Sequence, residues 1–164
     1  DLERGRGRLN LLVVGGTGIA SVLLLARKLL DQGDETILIY GGRTAADLVG
    51  LDDFIDLEIP VLVTTEDGSR GTRGLVTDAL RETLNRNQDR SLNVYTCGPN
   101  AMMEAVWKMA EARSVPCQVS VEVKMACGFG VCLGCTVKTT ESYRLACTHG
   151  PVFNAETFIW EKSR

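Results

Sequence analysis

The chain has 164 residues, 45% of them apolar and 24% charged, with a formal net charge of −3. That length suits one ordinary domain or a domain with a small appendage, and the composition is globular rather than disordered or fibrous. Mild acidity without a dense Lys/Arg stripe argues against a nucleic-acid partner, and the longest apolar run, Ile19 to Ala26, ends at Arg27 far short of the roughly 20 residues a bilayer requires, which argues against a membrane span.

The opening DLERGRGR has no initiator Met and leads straight into an apolar strand, so the chain is expected to be a fragment whose beginning belongs to another domain. LNLLVV at 9–14 reads as a buried strand. GGTGIAS at 15–21 is a glycine loop, and VLLLARKLLDQG is a helix ended by Gly33. TILIY at 36–40 is a second buried strand, RTAADLVGL a short helix with Thr44 as its N-cap, and IPVLVTT at 59–65 a third strand. EDGSRGTRG at 66–74 is a loop before the helix LVTDALRETLN. LNVYTC at 92–97 is a fourth strand, Gly98-Pro99-Asn100 opens the helix AMMEAVWKMAEAR, and VPCQVSVE at 115–122 is a fifth strand.

Five alternations with short connections predict an α/β fold: a five-stranded, parallel, doubly wound nucleotide-binding domain over residues 1–122. Residues 123–164 carry glycines, cysteines and turns but no convincing helix. They are expected to form a small cysteine-rich lobe, too poor in apolar residues to fold alone without a metal.

Ligands of an open parallel sheet bind beyond the carboxyl ends of its strands. GGTGIA follows the first strand, so Gly15, Gly16, Thr17, Gly18 and Ile19 stand where a pyrophosphate could meet backbone N–H groups at a helix start. The motif is not a full G-x-G-x-x-G, because Ser21 occupies the third glycine's place. Nor does an acid close the second strand, where Tyr40 is followed by Gly41, Gly42 and Arg43. Taken alone, these glycines could equally make a tight strand-to-helix turn. TEDGS at 65–69 and CGP at 97–99 also follow strands on the same sheet edge. Cys97 is either a small buried filler or a group facing a ligand.

Four of the six cysteines, Cys127, Cys132, Cys135 and Cys147, are spaced C-x4-C-x2-C-x11-C. The leading C-x4-C-x2-C run has the spacing that ligates a plant-type [2Fe–2S] cluster, in which each tetrahedral iron takes two sulfides and two cysteines. Gly128, Gly130 and Gly134 would let the loop curl and aim N–H groups at sulfur, while Met125, Phe129, Val131 and Leu133 could wall off water. Zinc is the main alternative, although structural zinc sites arrange their ligands as two short-spaced pairs. A dithiol of Cys132 and Cys135 would leave two thiols unexplained, and a disulfide framework suits a secreted chain, of which there is no other sign. His149 is the single histidine, so a Rieske pair is out, and an exposed loop position is its expected place. No Ser/His/Asp set, carboxylate pair or general-base histidine points to hydrolysis.

GGTGIA, TEDGS and CGP, in this order, resemble the pyridine-nucleotide domain of the ferredoxin–NADP reductase superfamily. That resemblance implies that Gly16, Thr17 and Gly18, flanked by Gly15 and Ile19, contact a pyrophosphate. It also implies that Cys97, Gly98 and Pro99 border the nicotinamide, and that Asp67 and Gly68 line the cofactor cleft. Arg43 would meet a 2′-phosphate or the adenosine end. With MACGFGVCLGC and RLACTHGPVF added, the chain resembles the electron-transfer subunits of dihydroorotate dehydrogenase B. This implies NAD(H), a [2Fe–2S] cluster, FAD held mostly by an N-terminal barrel outside these residues, and a cytoplasmic location. The implied partner is an FMN-containing dihydroorotate dehydrogenase catalytic subunit in a heterotetramer. Phe153, Phe158, Ile159 and Trp160 would either dock that partner or pack the lobe onto the sheet. Related NADPH-dependent ferredoxin oxidoreductases and sulfhydrogenases share this plan. The rival from another class is a zinc-stabilised nucleotide-binding regulatory module without redox turnover.

Overall fold

The computed structural model describes residues 7–160. Most of the opening segment expected to continue from another domain lies outside the described residues.

Among the described residues, nine strands and five α-helices follow one another as β1 (Leu9–Gly15), α1 (Leu23–Asp31), β2 (Glu35–Gly42), α2 (Asp52–Ile55), β3 (Val61–Thr65), β4 (Thr72–Arg73), α3 (Val76–Arg86), β5 (Leu92–Cys97), α4 (Asn100–Glu111), β6 (Cys117–Ser120), β7 (Thr136–Lys138), β8 (Tyr143–Leu145), α5 (Ala146–His149) and β9 (Val152–Asn154). One sheet has the order β4-β3-β2-β1-β5-β6-β9, and β7 pairs with β8 in a separate hairpin. All neighbours in the large sheet are parallel except β6 and β9. The five expected strands are all present, and the order turns back between β1 and β5, the place where such sheets bind ligands.

Burial on both faces explains why β1 reads as an unbroken apolar run. Leu9, Leu11 and Val13 pack with Leu80, Leu84, Met103 and Val106 of α3 and α4, while Leu12 and Val14 pack with Ala26 and Leu29 of α1 and with Phe54 of α2. Every residue of β1 is buried, which is what helices on both faces of a parallel sheet impose.

The structure differs from expectation in four places. The glycine loop is itself helical: a 3-10 stretch, Gly16–Val22, leaves β1 directly and continues into α1. The helix expected over 43–51 contracts to one 3-10 turn, Ala45–Asp47. Thr44 caps it as predicted, its side chain accepting from Ala46 N at 3.2 Å. Short α2 then drops Phe54 into the core. The sheet has seven strands rather than five, because β4 extends one edge and β9 the other. β9 comes from the cysteine-rich segment, and Cys135, Val137, Ala146 and Ala155 of that segment share the apolar cluster under α3 and α4. The segment therefore does not rely on a core of its own.

Aromatic packing strengthens this seam. Trp107 of α4 stacks on Trp160 with ring centroids 5.9 Å apart, Phe158 meets Trp160 edge-on at 4.9 Å, and Phe153 lies 6.2 Å from Phe158. Of the two roles open to these aromatics, the structure gives them packing. Apolar side chains around the cysteine loop do the opposite: Met125, Phe129, Val131 and Leu133 are exposed, Phe129 at 69% and Val131 at 71%. Among the described residues nothing covers these four side chains.

Candidate nucleotide cleft and cysteine loop

A cleft of about 690 Å³ opens beyond the carboxyl ends of β1, β2 and β5, a size usual for a small-molecule site. Gly15, Gly16 and Thr17 form part of its wall, Gly41, Gly42 and Arg43 continue it, and Pro99 and Met102 close it from the start of α4. Val49, Leu75 and Val76 supply apolar surface, whereas Asp47 and Glu66 supply carboxylates.

Tyr40 ties these loops together. Its ring is fully buried, and its hydroxyl lies 3.0 Å from Gly16 O and 3.1 Å from both Asp47 O and Val49 O. One proton serves three carbonyls, so the hydroxyl donates to one at a time. Burial pushes the Tyr40 pKa up, which keeps it a donor. Asp47 is fixed from several directions: Oδ2 accepts from Arg43 N at 3.1 Å and Thr44 N at 3.2 Å, and the carboxylate also faces the Arg43 guanidinium at 3.3 and 3.4 Å. Hydrogen bonding from Arg43, then from the Thr44 amide, holds the Asp47 pKa below the ordinary carboxylate value.

The remaining residues expected at a nucleotide site divide among several places. Gly18 and Ile19 are buried beneath the cleft rather than in its wall. Gly18 packs so closely on β5 that an added Cβ would stand 2.4 Å from Cys97 O and 2.7 Å from its carbonyl carbon. A glycine is needed there for chain-to-chain approach alone. Asp67 and Gly68 are also outside the cleft wall. Asp67 Oδ1 instead accepts from Ser69 N at 2.9 Å and Ser69 Oγ at 2.6 Å, and Ser69 Oγ accepts from Ala45 N at 2.7 Å, so this turn braces the Ala45–Asp47 turn. The Ser69 hydroxyl holds the Asp67 pKa down.

Cys97 ends β5 fully buried, and its thiol donates to Glu122 Oε1 at 3.9 Å. Burial raises its pKa, with Ser21 and Ser120 hydroxyls nearby acting against the rise and Glu122 with it. Cys97 and Gly98 do not line the large cleft, while Pro99 does.

In the cysteine loop, backbone N–H groups converge on sulfur. Cys132 N donates to Cys127 Sγ at 3.5 Å, and Gly134 N to Cys132 Sγ at 3.4 Å. Amides of Cys132, Phe129 and Val131 bring the Cys127 pKa down to about 6. Gly128 at φ +76°, Gly130 at +87° and Leu133 at +59° adopt left-handed backbone, and alternation of hand is what turns successive amides toward one concave, anion-accepting face. The thiols group as two pairs, Cys127 beside Cys132 and Cys135 beside Cys147. The Cys147 amide and thiol lower the Cys135 pKa, and the Cys135 thiol raises that of Cys147. Among the described residues, no three Cys, His, Asp or Glu side chains gather around a single metal position. Two thiol pairs ringed by amide donors fit a [2Fe–2S] group, in which each iron takes two cysteines. His149 is exposed at the rim, its Nδ1 accepting from Leu145 N at 3.2 Å.

Two family models match successive parts of the chain. An oxidoreductase NAD-binding domain matches residues 12–108, and the iron-sulfur cluster binding domain of dihydroorotate dehydrogenase B matches residues 122–159. A dihydroorotate dehydrogenase B (NAD(+)) electron transfer subunit from Caldanaerobacter subterraneus subsp. tengcongensis is 40% identical over 94% of the chain, and an Aquifex aeolicus homologue of that subunit is 39% identical over 93%. The chain belongs to the oxidoreductase NAD-binding domain family and is similar along most of its length to these electron transfer subunits. It is thus an oxidoreductase component with an NAD-binding domain and an iron–sulfur-binding domain. The chain spans 59% to 60% of the length of these two relatives. A solved NADH-dependent reduced ferredoxin-NADP oxidoreductase, studied for flavin-based electron bifurcation, superimposes with a TM-score of 0.81 at 34% identity, over 93% of this chain and 54% of the other. A cytochrome P450 reductase from Amycolatopsis follows at a TM-score of 0.58, 30% identity, and 68% and 35% coverage.

Three residues at or beside the cleft were not anticipated from sequence. Tyr40 was noted only for failing to be an acid, yet its hydroxyl organises the cleft loops. Glu122 carries no local signal, being 25 residues from the Cys97 it faces. Asp47 sits within a capping pattern, Thr44 to Asp47, that could have marked it as a fixed carboxylate near the cleft.

Proposed function

We propose that this chain passes electrons between NAD(H), a flavin held by the rest of the protein, and a [2Fe–2S] cluster, and exchanges them with a partner flavoprotein. The observation that carries the reading is the joining of a strand-end dinucleotide cleft and a four-cysteine, amide-lined loop in one chain. Nicotinamide and flavin chemistry is two-electron and cluster chemistry one-electron, and these groups supply the redox capacity when bound.

The chain's own groups bind and tune. Gly15, Gly16 and Thr17 offer backbone to a pyrophosphate at the end of β1, with Gly18 and Ile19 holding that segment against β5 from below. Cys97, Gly98 and Pro99 border the nicotinamide end, where the Cys97 thiol stays protonated and donates to Glu122. Asp67 and Gly68 brace the turn bearing Asp47. Cys127, Cys132, Cys135 and Cys147 hold the cluster, and the loop amides stabilise negative charge on sulfur. Residues 1–122 act as the NAD(P)-binding domain and 123–164 as the cluster lobe.

The favoured partner is the FMN-containing catalytic subunit of a dihydroorotate dehydrogenase, in a cytoplasmic heterotetramer serving pyrimidine synthesis. Similarity to dihydroorotate dehydrogenase B electron transfer subunits supports it. Exposed Met125, Phe129, Val131 and Leu133, rather than the packed Phe153, Phe158 and Trp160, would meet that partner. The high TM-score to the ferredoxin-NADP oxidoreductase favours a second reading, in which ferredoxin takes the partner's place.

Stopped-flow spectroscopy of the flavin-containing holoprotein under anaerobic conditions tests the proposal. NADH should bleach flavin and cluster bands in turn, and dihydroorotate with the catalytic subunit should do so from the other side. Bleaching by dithionite but never by NADH would overturn the electron-transfer reading. Reduction by ferredoxin but not by the dihydroorotate system would select the second partner.

A further inference from the structure

One side chain bridges two of the loops that build the cleft. Met102, in the first turn of α4, lies on the cleft wall between the end of β1 and the Gly98–Pro99 turn. An added Cβ at Gly15 would stand 2.7 Å from its Sδ and 3.6 Å from its Cε, and one at Gly98 would stand 2.7 Å from the same Cε. The thioether therefore fills the notch between these glycines, with Sδ against Gly15 and Cε against Gly98.

Gly15 shows that the notch is kept for this side chain. Its backbone is extended, at φ −131° and ψ 133°, a conformation any residue adopts, so the local turn does not ask for glycine. What excludes a Cβ there is Met102, together with Pro99 Cδ at 3.2 Å. Gly98, at φ +154°, is glycine for the sake of its backbone as well. Ala101 and Ala105, the other side chains of α4 on the cleft wall, end at Cβ. Reaching both loops from this helix falls to Met102.

We propose that Met102 is a positioning residue that sets how the nicotinamide half of the dinucleotide lies across the cleft. The inference rests on the dinucleotide reading of the site. On that reading Gly15 and Gly16 offer backbone to the pyrophosphate, and Gly98 and Pro99 border the nicotinamide. The spacing of the two loops then fixes where the ring stands relative to its phosphate anchor. Met102 holds that spacing and presents its thioether to the bound molecule. An unbranched, polarizable chain suits the task, since it spans both loops, needs no hydrogen-bond partner and adapts to a planar ring. A misplacement of about 1 Å between reacting groups can cost about two orders of magnitude in rate, so the residue acts on transfer more than on affinity.

Stopped-flow reduction of the flavin-containing holoprotein by NADH separates binding from transfer, and NMR of protein isotope-labelled at the methionine methyl carbons observes Met102 directly. Met102→Ala should lower the flavin-reduction rate constant at saturating NADH by about tenfold or more while weakening NADH binding only severalfold. Met102→Leu, which keeps the volume but not the reach to both glycines, should restore affinity and recover part of the rate. Gly15→Ala should mimic the loss by pushing the thioether aside, and combining it with Met102→Ala should cost less than the two single losses multiplied. In the native protein the Met102 methyl signal, assigned by its disappearance in Met102→Leu, should move when NADH is added. A purely structural Met102 would lower Tm and leave the saturated rate unchanged. That result, full multiplication of the two single losses, or a stationary methyl signal while NADH binds would overturn the positioning role and leave the nucleotide site standing. Failure of the native protein to bind NADH would overturn both.

Discussion

Replacing Tyr40 by Phe removes one oxygen from a fully buried ring and leaves its shape intact, so the effect isolates the hydroxyl. In the native protein that hydroxyl faces the carbonyls of Gly16, Asp47 and Val49 at 3.0 to 3.1 Å, joining the start of the 3-10 stretch to the 45–49 loop. One hydrogen bond is lost, worth about 1 kcal/mol, and acceptors that cannot all reach water are left unsatisfied, which brings the total to about 2 kcal/mol. For a chain of this size that loss lowers Tm by roughly 4–8 °C. Because Gly16 and Asp47 both line the cleft, the freed loops should also bind NADH several times more weakly. Thermal unfolding followed by circular dichroism, paired with an NADH titration, measures both. A stability change below about 0.5 kcal/mol, the range of a neutral surface substitution, would show that the three carbonyls do not depend on Tyr40.

Three further substitutions probe other joints. Gly18→Ala must push the 3-10 stretch off β5, since its Cβ would meet Cys97 O at 2.4 Å; a loss of about 3 kcal/mol, at the upper end for overpacking, is expected in urea unfolding. Cys132→Ser should abolish cluster assembly, seen as loss of visible absorption, while the far-ultraviolet spectrum stays native because Cys132 is exposed and outside the apolar core. Trp107→Ala removes the ring stacked 5.9 Å from Trp160; a loss of about 2 kcal/mol is expected, below that of a fully buried Trp, with faster proteolysis of the 123–160 segment.

Much of the architecture could be read from residue patterns because the strongest signals are local. A strand buried on both faces must be apolar throughout, and LNLLVV, TILIY and LNVYTC announce β1, β2 and β5 for that reason. Cysteine spacing likewise marks the segment whose thiols stand as two pairs, Cys127 with Cys132 and Cys135 with Cys147. What escaped depends on partners distant in sequence. β4 is two residues and β9 three, too short for any periodicity, and each exists because a neighbouring strand offers it an edge. The aromatics Phe153, Phe158 and Trp160 could have served a partner or the fold, and only their contact with α4 decides for the fold. Gly18 shows the converse: a glycine in a nucleotide motif whose immediate constraint is the carbonyl of Cys97.

The central claim, that one chain joins a dinucleotide cleft to a two-iron centre, is tested most directly by metal and sulfide analysis of anaerobically prepared protein alongside its absorption spectrum. The account predicts two irons and two acid-labile sulfides per chain, with visible bands that bleach on reduction. A colourless protein holding one zinc per chain after the same preparation would contradict it.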